Sequence, residues 1–134
     1  HFIVDTSGSF CELQDEESWR SLGENSLLLY LKASDETRDF VIKRAQTHPK
    51  PLYYQAPFLR EKITQYLTEN ALSSTHEIIP NEFARWVFPH LLEHRLDLYE
   101  AIAERYGITI DASKLYNIRD EDDFYQLIEE AAHE

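Results

Sequence analysis

The chain has 134 residues, 43% hydrophobic and 13% aromatic, a composition that supplies one folded core and is unlike a disordered tail. Its 25 acidic against 13 basic residues leave a net charge of -12, which repels nucleic-acid phosphates and anionic membrane surfaces except at a local basic pocket. The single cysteine, Cys11, excludes an intrachain disulfide, and no apolar run approaches the ~20 residues that span a bilayer. The N-terminus also lacks the basic and long apolar regions of a signal peptide, so a soluble cytoplasmic protein is expected.

The chain opens with Phe2-Ile3-Val4-Asp5-Thr6, which reads as a short buried strand, and Ser7-Gly8-Ser9 then reads as a turn. A strand this apolar calls for sheet partners on both sides and helices on both faces. With no Met anywhere in the sequence, the chain reads as the C-terminal part of a larger α/β domain. Residues 16–22 predict a short helix ending near Gly23. Residues 26–32, SLLLYLK, predict a second strand buried on both faces. Ser34 fits a helix N-cap, with Asp35 and Glu36 in the first turn and Phe40, Val41 and Ala45 on the apolar side. That helix must end before His48-Pro49-Lys50-Pro51, because both prolines lack a donor and restrict the residues before them.

Residues 55–67 resume helical periodicity through Phe58, Leu59, Ile63, Tyr66 and Leu67, and a polar loop at Ser73-Ser74-Thr75 leads to Pro80. Over residues 81–106 the stripe Phe83, Val87, Leu91, Leu98, Ile102 predicts a long helix that Pro89 should kink or divide. Gly107 stops it, Ile108-Thr109-Ile110-Asp111 predicts a third strand, and residues 122–132 predict a last helix. Strands alternating with helices mark an α/β fold, a parallel sheet with flanking helices joined by right-handed crossovers. Three strands are few for so many helices.

In this order several segments resemble the C-terminal part of shikimate-kinase-like P-loop kinases. Phe2-Ile3-Val4-Asp5-Thr6-Ser7-Gly8-Ser9 stands where that family has its third strand and glycine-rich turn, and residues 27–34, LLLYLKAS, resemble the next strand and its exit into a helix. Arg44 with His48-Pro49-Lys50-Pro51-Leu52 resembles the family's lid, and Arg95 with Tyr99 resembles its Arg-x-x-x-Tyr helix before the last strand. The likeness covers the chain apart from an insertion across roughly residues 65–93, with Lys50 where the family's lid has arginine and only Gly8 kept in the turn. The expected organisation is a single domain over residues 1–134, a fragment of a larger P-loop kinase-like domain, with a helical lid and insertion at about 48–94. No G-x-x-x-x-G-K-[ST] occurs in these residues, so the chain alone is not expected to transfer phosphate.

The resemblance implies the C-terminal part of an ATP-dependent small-molecule kinase or ATPase, with ATP and Mg2+ expected only for the full-length parent. Asp5 would help with magnesium as a catalytic residue. Ser7, Gly8, Arg44 and Lys50 would face the nucleotide phosphates, and Arg95 the anion of a small acceptor. The alternatives for these residues are an acid capping its turn and surface ion pairs. The family's phosphate-loop strand lies between the first two strands of this chain. Its absence leaves a gap whose buried unpaired groups cost ~1–3 kcal/mol each. The gap could be closed by direct pairing of those strands, by exchange with a second copy of the chain, or by the missing N-terminal half. A different class of function is a non-catalytic P-loop-like remnant serving as an interaction or regulatory module. More distant is a zinc hydrolase through His90-Leu91-Leu92-Glu93-His94, the H-x-x-E-H pattern, with Asp97 one turn beyond. Half-exposed helix histidines account for that pattern without a metal, and none is expected. No nucleic-acid or membrane partner is expected.

Overall fold

A computed structural model describes residues 2–134. The elements in chain order are α1 (Glu16–Asn25), β1 (Leu28–Lys32), α2 (Asp35–Thr47), α3 (Ala56–Glu69), α4 (Pro80–Tyr106), β2 (Gly107–Asp111) and α5 (Glu121–His133). Short 3-10 helices occupy Gly8–Glu12, Thr75–Glu77 and Ala112–Asn117. The fold is mixed α/β and mostly helical, and among the described residues the sheet is one parallel pair. Leu28 stands opposite Gly107 and Lys32 opposite Asp111. Glycine is required at the start of β2, since a Cβ at Gly107 would lie 2.6 Å from the Leu28 carbonyl oxygen. No described helix is long and apolar enough to cross a membrane.

The chain divides into two compact units. The first is made of residues up to Arg38 and from Arg95 to the end, and holds both strands. Its buried side chains include Cys11, Trp19, Ala103, Ile110 and Leu127. The second spans Asp39–His94 and is helical. Its core joins Phe58 and Tyr66 of α3 to Phe83, Val87 and Leu91 of α4, with Leu52, Tyr54, Ile63 and Trp86 packed around them. Ring contacts bind this core: Tyr66 meets Phe83 at 5.3 Å and Trp86 at 5.1 Å between centroids.

Local chemistry sets most boundaries. The Ser34 hydroxyl accepts from the Thr37 backbone N–H at 3.2 Å, so α2 starts where the cap predicts, and it ends at Thr47 just ahead of the prolines. Helix α3 closes with Ala71 in the left-handed region (φ 51), its N–H donating to Thr68 and that of Leu72 to Leu67, a Schellman pattern that usually carries glycine. Ser74 and Glu77 form a reciprocal capping box before α4. Pro80 opens α4, where its missing N–H costs nothing.

The strand expected over residues 2–6 does not form, and of the two effects expected of Pro89 the division does not occur. Residues 2–6 form no strand: Phe2, Ile3 and Val4 are 98%, 85% and 79% exposed. A strand exists only where a neighbour completes its ladder, and β1 takes β2 as its partner. Direct pairing of residues 2–6 with the second strand therefore does not occur. Pro89 does not divide α4, which runs unbroken over 27 residues. Proline removes one helical hydrogen bond, and the burial of Val87 and Leu91 on either side holds both turns in place. Helix α1 ends near Gly23 as expected, at Asn25, where the Ser26 hydroxyl and N–H both donate to the Leu22 carbonyl.

Candidate functional site

The residues expected to carry function fall into separate places. In the first unit, the 3-10 helix Gly8–Glu12 packs on the last turns of α4, from which Arg95 and Tyr99 project one turn apart on a single face. Arg95 Nε donates to Glu12 Oε1 at 3.2 Å, and Glu12 is only 2% exposed. The Tyr99 hydroxyl donates to the Gly8 carbonyl, and the Cys11 thiol donates to the same oxygen at 3.3 Å. A Cβ at position 8 would stand 3.2 Å from the Tyr99 hydroxyl and 3.7 Å from Arg95 Nη1. Gly8 and Arg95 are thus neighbours, whereas Arg44 and Lys50, expected beside Gly8 at the phosphates, belong to the second unit. Tyr99 is backed by Tyr30 of β1, their rings stacked at 5.5 Å. The Tyr30 hydroxyl is buried with no hydrogen-bond partner among the described residues.

The electrostatics of this cluster favour neutral groups. Burial pushes the Tyr99 phenol up to about 12, reinforced by the neighbouring Cys11, and burial likewise raises the Cys11 thiol. A thiol held protonated is a poor nucleophile. Both groups are neutral when protonated and folding raises their pKa. Their contribution to stability is therefore whole below their ordinary values of 9.0 and 10.0 and is lost as pH climbs through the folded values. Urea midpoints are expected to fall between pH 9 and 12, and Tyr99→Phe should flatten the upper part of that decline. An unchanged slope in Tyr99→Phe would mean that this phenol is not the group responsible.

Arg95 already has a carboxylate, so an anion reaching its guanidinium competes with Glu12 for the same donors. Asp5 and Ser7 lie just outside the cluster, both exposed, with Ser7 Oγ 3.1 Å from Ser9 Oγ.

The other two expected residues belong to the second unit. Arg44, in the last turn of α2, and Lys50, between two prolines, line one groove of about 420 Å³ with His48. Its apolar wall is Val41, Ala45, Leu52, Ala84 and Phe88, and no carboxylate lines it. This unit balances Lys43, Arg44, Lys50, Arg60, Lys62 and Arg85 against Asp39, Glu61, Glu69, Glu77, Glu82 and Glu93, so the whole negative charge of the chain lies in the first unit. Guanidinium and ammonium groups without facing acids suit a phosphate or carboxylate attached to an apolar body. A larger hollow at the carboxyl ends of β1 and β2, about 790 Å³, is lined by Asp35, Glu104, Asp111 and Glu134 against Lys32 alone. Its charge disfavours anions, although such strand ends are the usual ligand position in α/β sheets.

His90 packs on Trp86 at 4.5 Å between ring centroids, and His94 on Phe58 at 5.1 Å. Among the described residues no group of three His, Cys, Asp or Glu side chains is placed to hold a metal ion. Aromatic packing accounts for both histidines.

Sequence reasoning missed Glu12, Cys11 and Tyr30 as members of the first cluster. The four-residue spacing of Arg95 and Tyr99 marks one helix face and carries a signal. A lone acid in Cys-Glu-Leu carries none, because its partner lies 83 residues away. No family model, curated protein or solved structure matches the chain.

Proposed function

We propose that this chain is the C-terminal part of an ATP-dependent P-loop kinase or ATPase acting on a small anionic molecule, and that it is not competent alone. The observation that carries the reading is the carboxylate-free groove in which Arg44, His48 and Lys50 converge within an otherwise acidic chain. Phosphates of a nucleotide meet two fixed cations there and an apolar wall for the base. Arg95 serves the acceptor anion, with Gly8 and Tyr99 holding the backbone turn beside it. Asp5 and Ser7, exposed ahead of that turn, are open to a hydrated magnesium ion. The phosphate loop and its lysine come from the full-length parent, and with them the binding of ATP and Mg2+.

Three measurements test this. The 134-residue chain should bind ATP–magnesium more weakly than micromolar in calorimetry, since the backbone cradle is absent. The whole product of the reading frame that encodes it should carry G-x-x-x-x-G-K-[ST] upstream and hydrolyse ATP. In that product Arg44→Glu with Lys50→Glu should raise the KM for ATP by about tenfold or more, equivalent to ~1.4 kcal/mol. A whole product without the loop, or a KM indifferent to both substitutions, removes the kinase reading. The non-catalytic interaction module then stands, and the exposed Phe2-Ile3-Val4 segment favours it.

A further inference from the structure

We infer that Glu12 is a built-in stand-in for the ligand of Arg95: its carboxylate holds the place of a carboxylate on the acceptor, which binds by displacing the segment Gly8–Glu12. The role of Glu12 rests on the acceptor role proposed for Arg95, and it specifies the acceptor's anion. In the first unit, Lys32–Glu100, Arg105–Glu16 and Lys114–Glu134 are surface pairs, whereas the Arg95 and Glu12 side chains are 15% and 1% exposed. Burying two charges costs desolvation that their attraction scarcely offsets, so stability alone does not call for this pair. A guanidinium shielded from water does attract an anion more strongly than an exposed one. Beside the pair, the Tyr30 hydroxyl is buried with no hydrogen-bond partner among the described residues, so the Glu12 carboxylate does not accept from it. The Tyr30 ring stacks on Tyr99, which lies within electrostatic reach of both Arg95 and Cys11. An incoming carboxylate takes Arg95 with one oxygen and gives that hydroxyl an acceptor with the other.

The charge of the pocket selects the ligand. Burial keeps Tyr99 and Cys11 neutral, so Arg95 is balanced by one negative charge, that of a carboxylate, and a phosphate dianion brings one too many. The segment that carries Glu12 is also of the kind that gives way. Gly8–Glu12 is a 3-10 helix of five residues, closed by the Phe10 N–H on Ser7 at 2.9 Å and the Leu13 N–H on Phe10 at 3.1 Å. Residues 2–6 ahead of it and 13–15 behind it belong to no helix or strand. Its side-chain anchors are the Tyr99 hydroxyl on Gly8 and the Phe10 ring, set edge-on to Trp19 at 5.0 Å. Opening this segment breaks a few hydrogen bonds and leaves both strands and the α-helices in place.

The test is acetate binding to the 134-residue chain by calorimetry, with ionic strength held constant by sodium chloride. Glu12→Gln keeps the shape of the side chain and removes its charge, so it should bind acetate about tenfold or more tightly than the wild type. Adding Arg95→Leu should abolish that gain, and adding Tyr30→Phe should lower it about threefold. Acetate held by the groove of the second unit contributes equally to every variant and cancels. The phosphate dianion should gain less than acetate. In a Trp86→Phe background, Trp19 emission should change as acetate binds, because Phe10 leaves its ring. Equal acetate affinity in wild type and Glu12→Gln, a gain that survives Arg95→Leu, or a greater gain for phosphate overturns the inference. Binding with no change at Trp19 overturns it too, since Glu12 has then stayed in place. Should Glu12→Gln fail to fold in chloride, acetate is expected to restore the wild-type circular dichroism, and a chain left unfolded in acetate is an equal refutation. No arm of this test involves ATP. A failure here with groove variants that still raise the KM for ATP removes the stand-in and leaves the kinase reading intact.

Discussion

Arg95→Ala is expected to destabilise the chain by about 3–5 kcal/mol, the loss found when one partner of a buried ion pair is removed. Glu12 is 2% exposed, and the guanidinium beside it is largely enclosed. Truncation leaves a carboxylate in a site with little access to water, and desolvation then opposes folding. The same change takes away the stem that packs beside Gly8 and Tyr99. Replacing both members by apolar residues, Glu12→Leu with Arg95→Leu, should recover most of the loss, because no charge then remains buried. Urea unfolding followed by circular dichroism measures all three variants. A loss below about 1 kcal/mol in Arg95→Ala would place the pair among solvent-screened ones. The result also bears on function. Acceptor kinetics of Arg95→Ala in the full-length parent should be taken well below its lowered melting temperature, where a rise in acceptor KM beyond that of ATP reports binding, not unfolding.

In the second unit, Phe83→Ala should cost about 3–5 kcal/mol, the range for emptying a buried aromatic site. The Phe83 ring contacts Tyr54, Tyr66 and Trp86, with centroids 6.5, 5.3 and 6.0 Å away. Tyr66 and Trp86 are held by α3 and α4, so they cannot collapse into the void without moving a helix. Trp86 sits in this cluster and Trp19 in the first unit, which lets fluorescence follow each separately after Trp→Phe replacement of the other. Phe40→Ala, at a side chain 64% exposed, should change stability by less than about 0.5 kcal/mol. Similar effects at positions 83 and 40 would show that the aromatic cluster is not the core of this unit.

Much of the helical framework was determined by the sequence itself, because helix boundaries are local events. Ser34 capping α2, the prolines that end it, the Ser74–Glu77 box and the Asp120 cap of α5 each act within four residues. Gly107 and the apolar runs of β1 and β2 likewise carry their own signals. Arg44 and Lys50, six residues apart, line one groove through a short proline segment that leaves little freedom, while the approach of Gly8 to Arg95 was not legible in the sequence. What the tertiary structure alone decided is everything that needs a distant partner. Residues 2–6 have the composition of a strand, but a ladder requires contact with a second edge, and they pair with neither strand of the β1–β2 sheet. Pro89 has the composition of a break, but burial of Val87 and Leu91 outweighs one lost hydrogen bond. Glu12 looks like any surface acid until the fold closes 83 residues of separation onto Arg95 and removes the water around both.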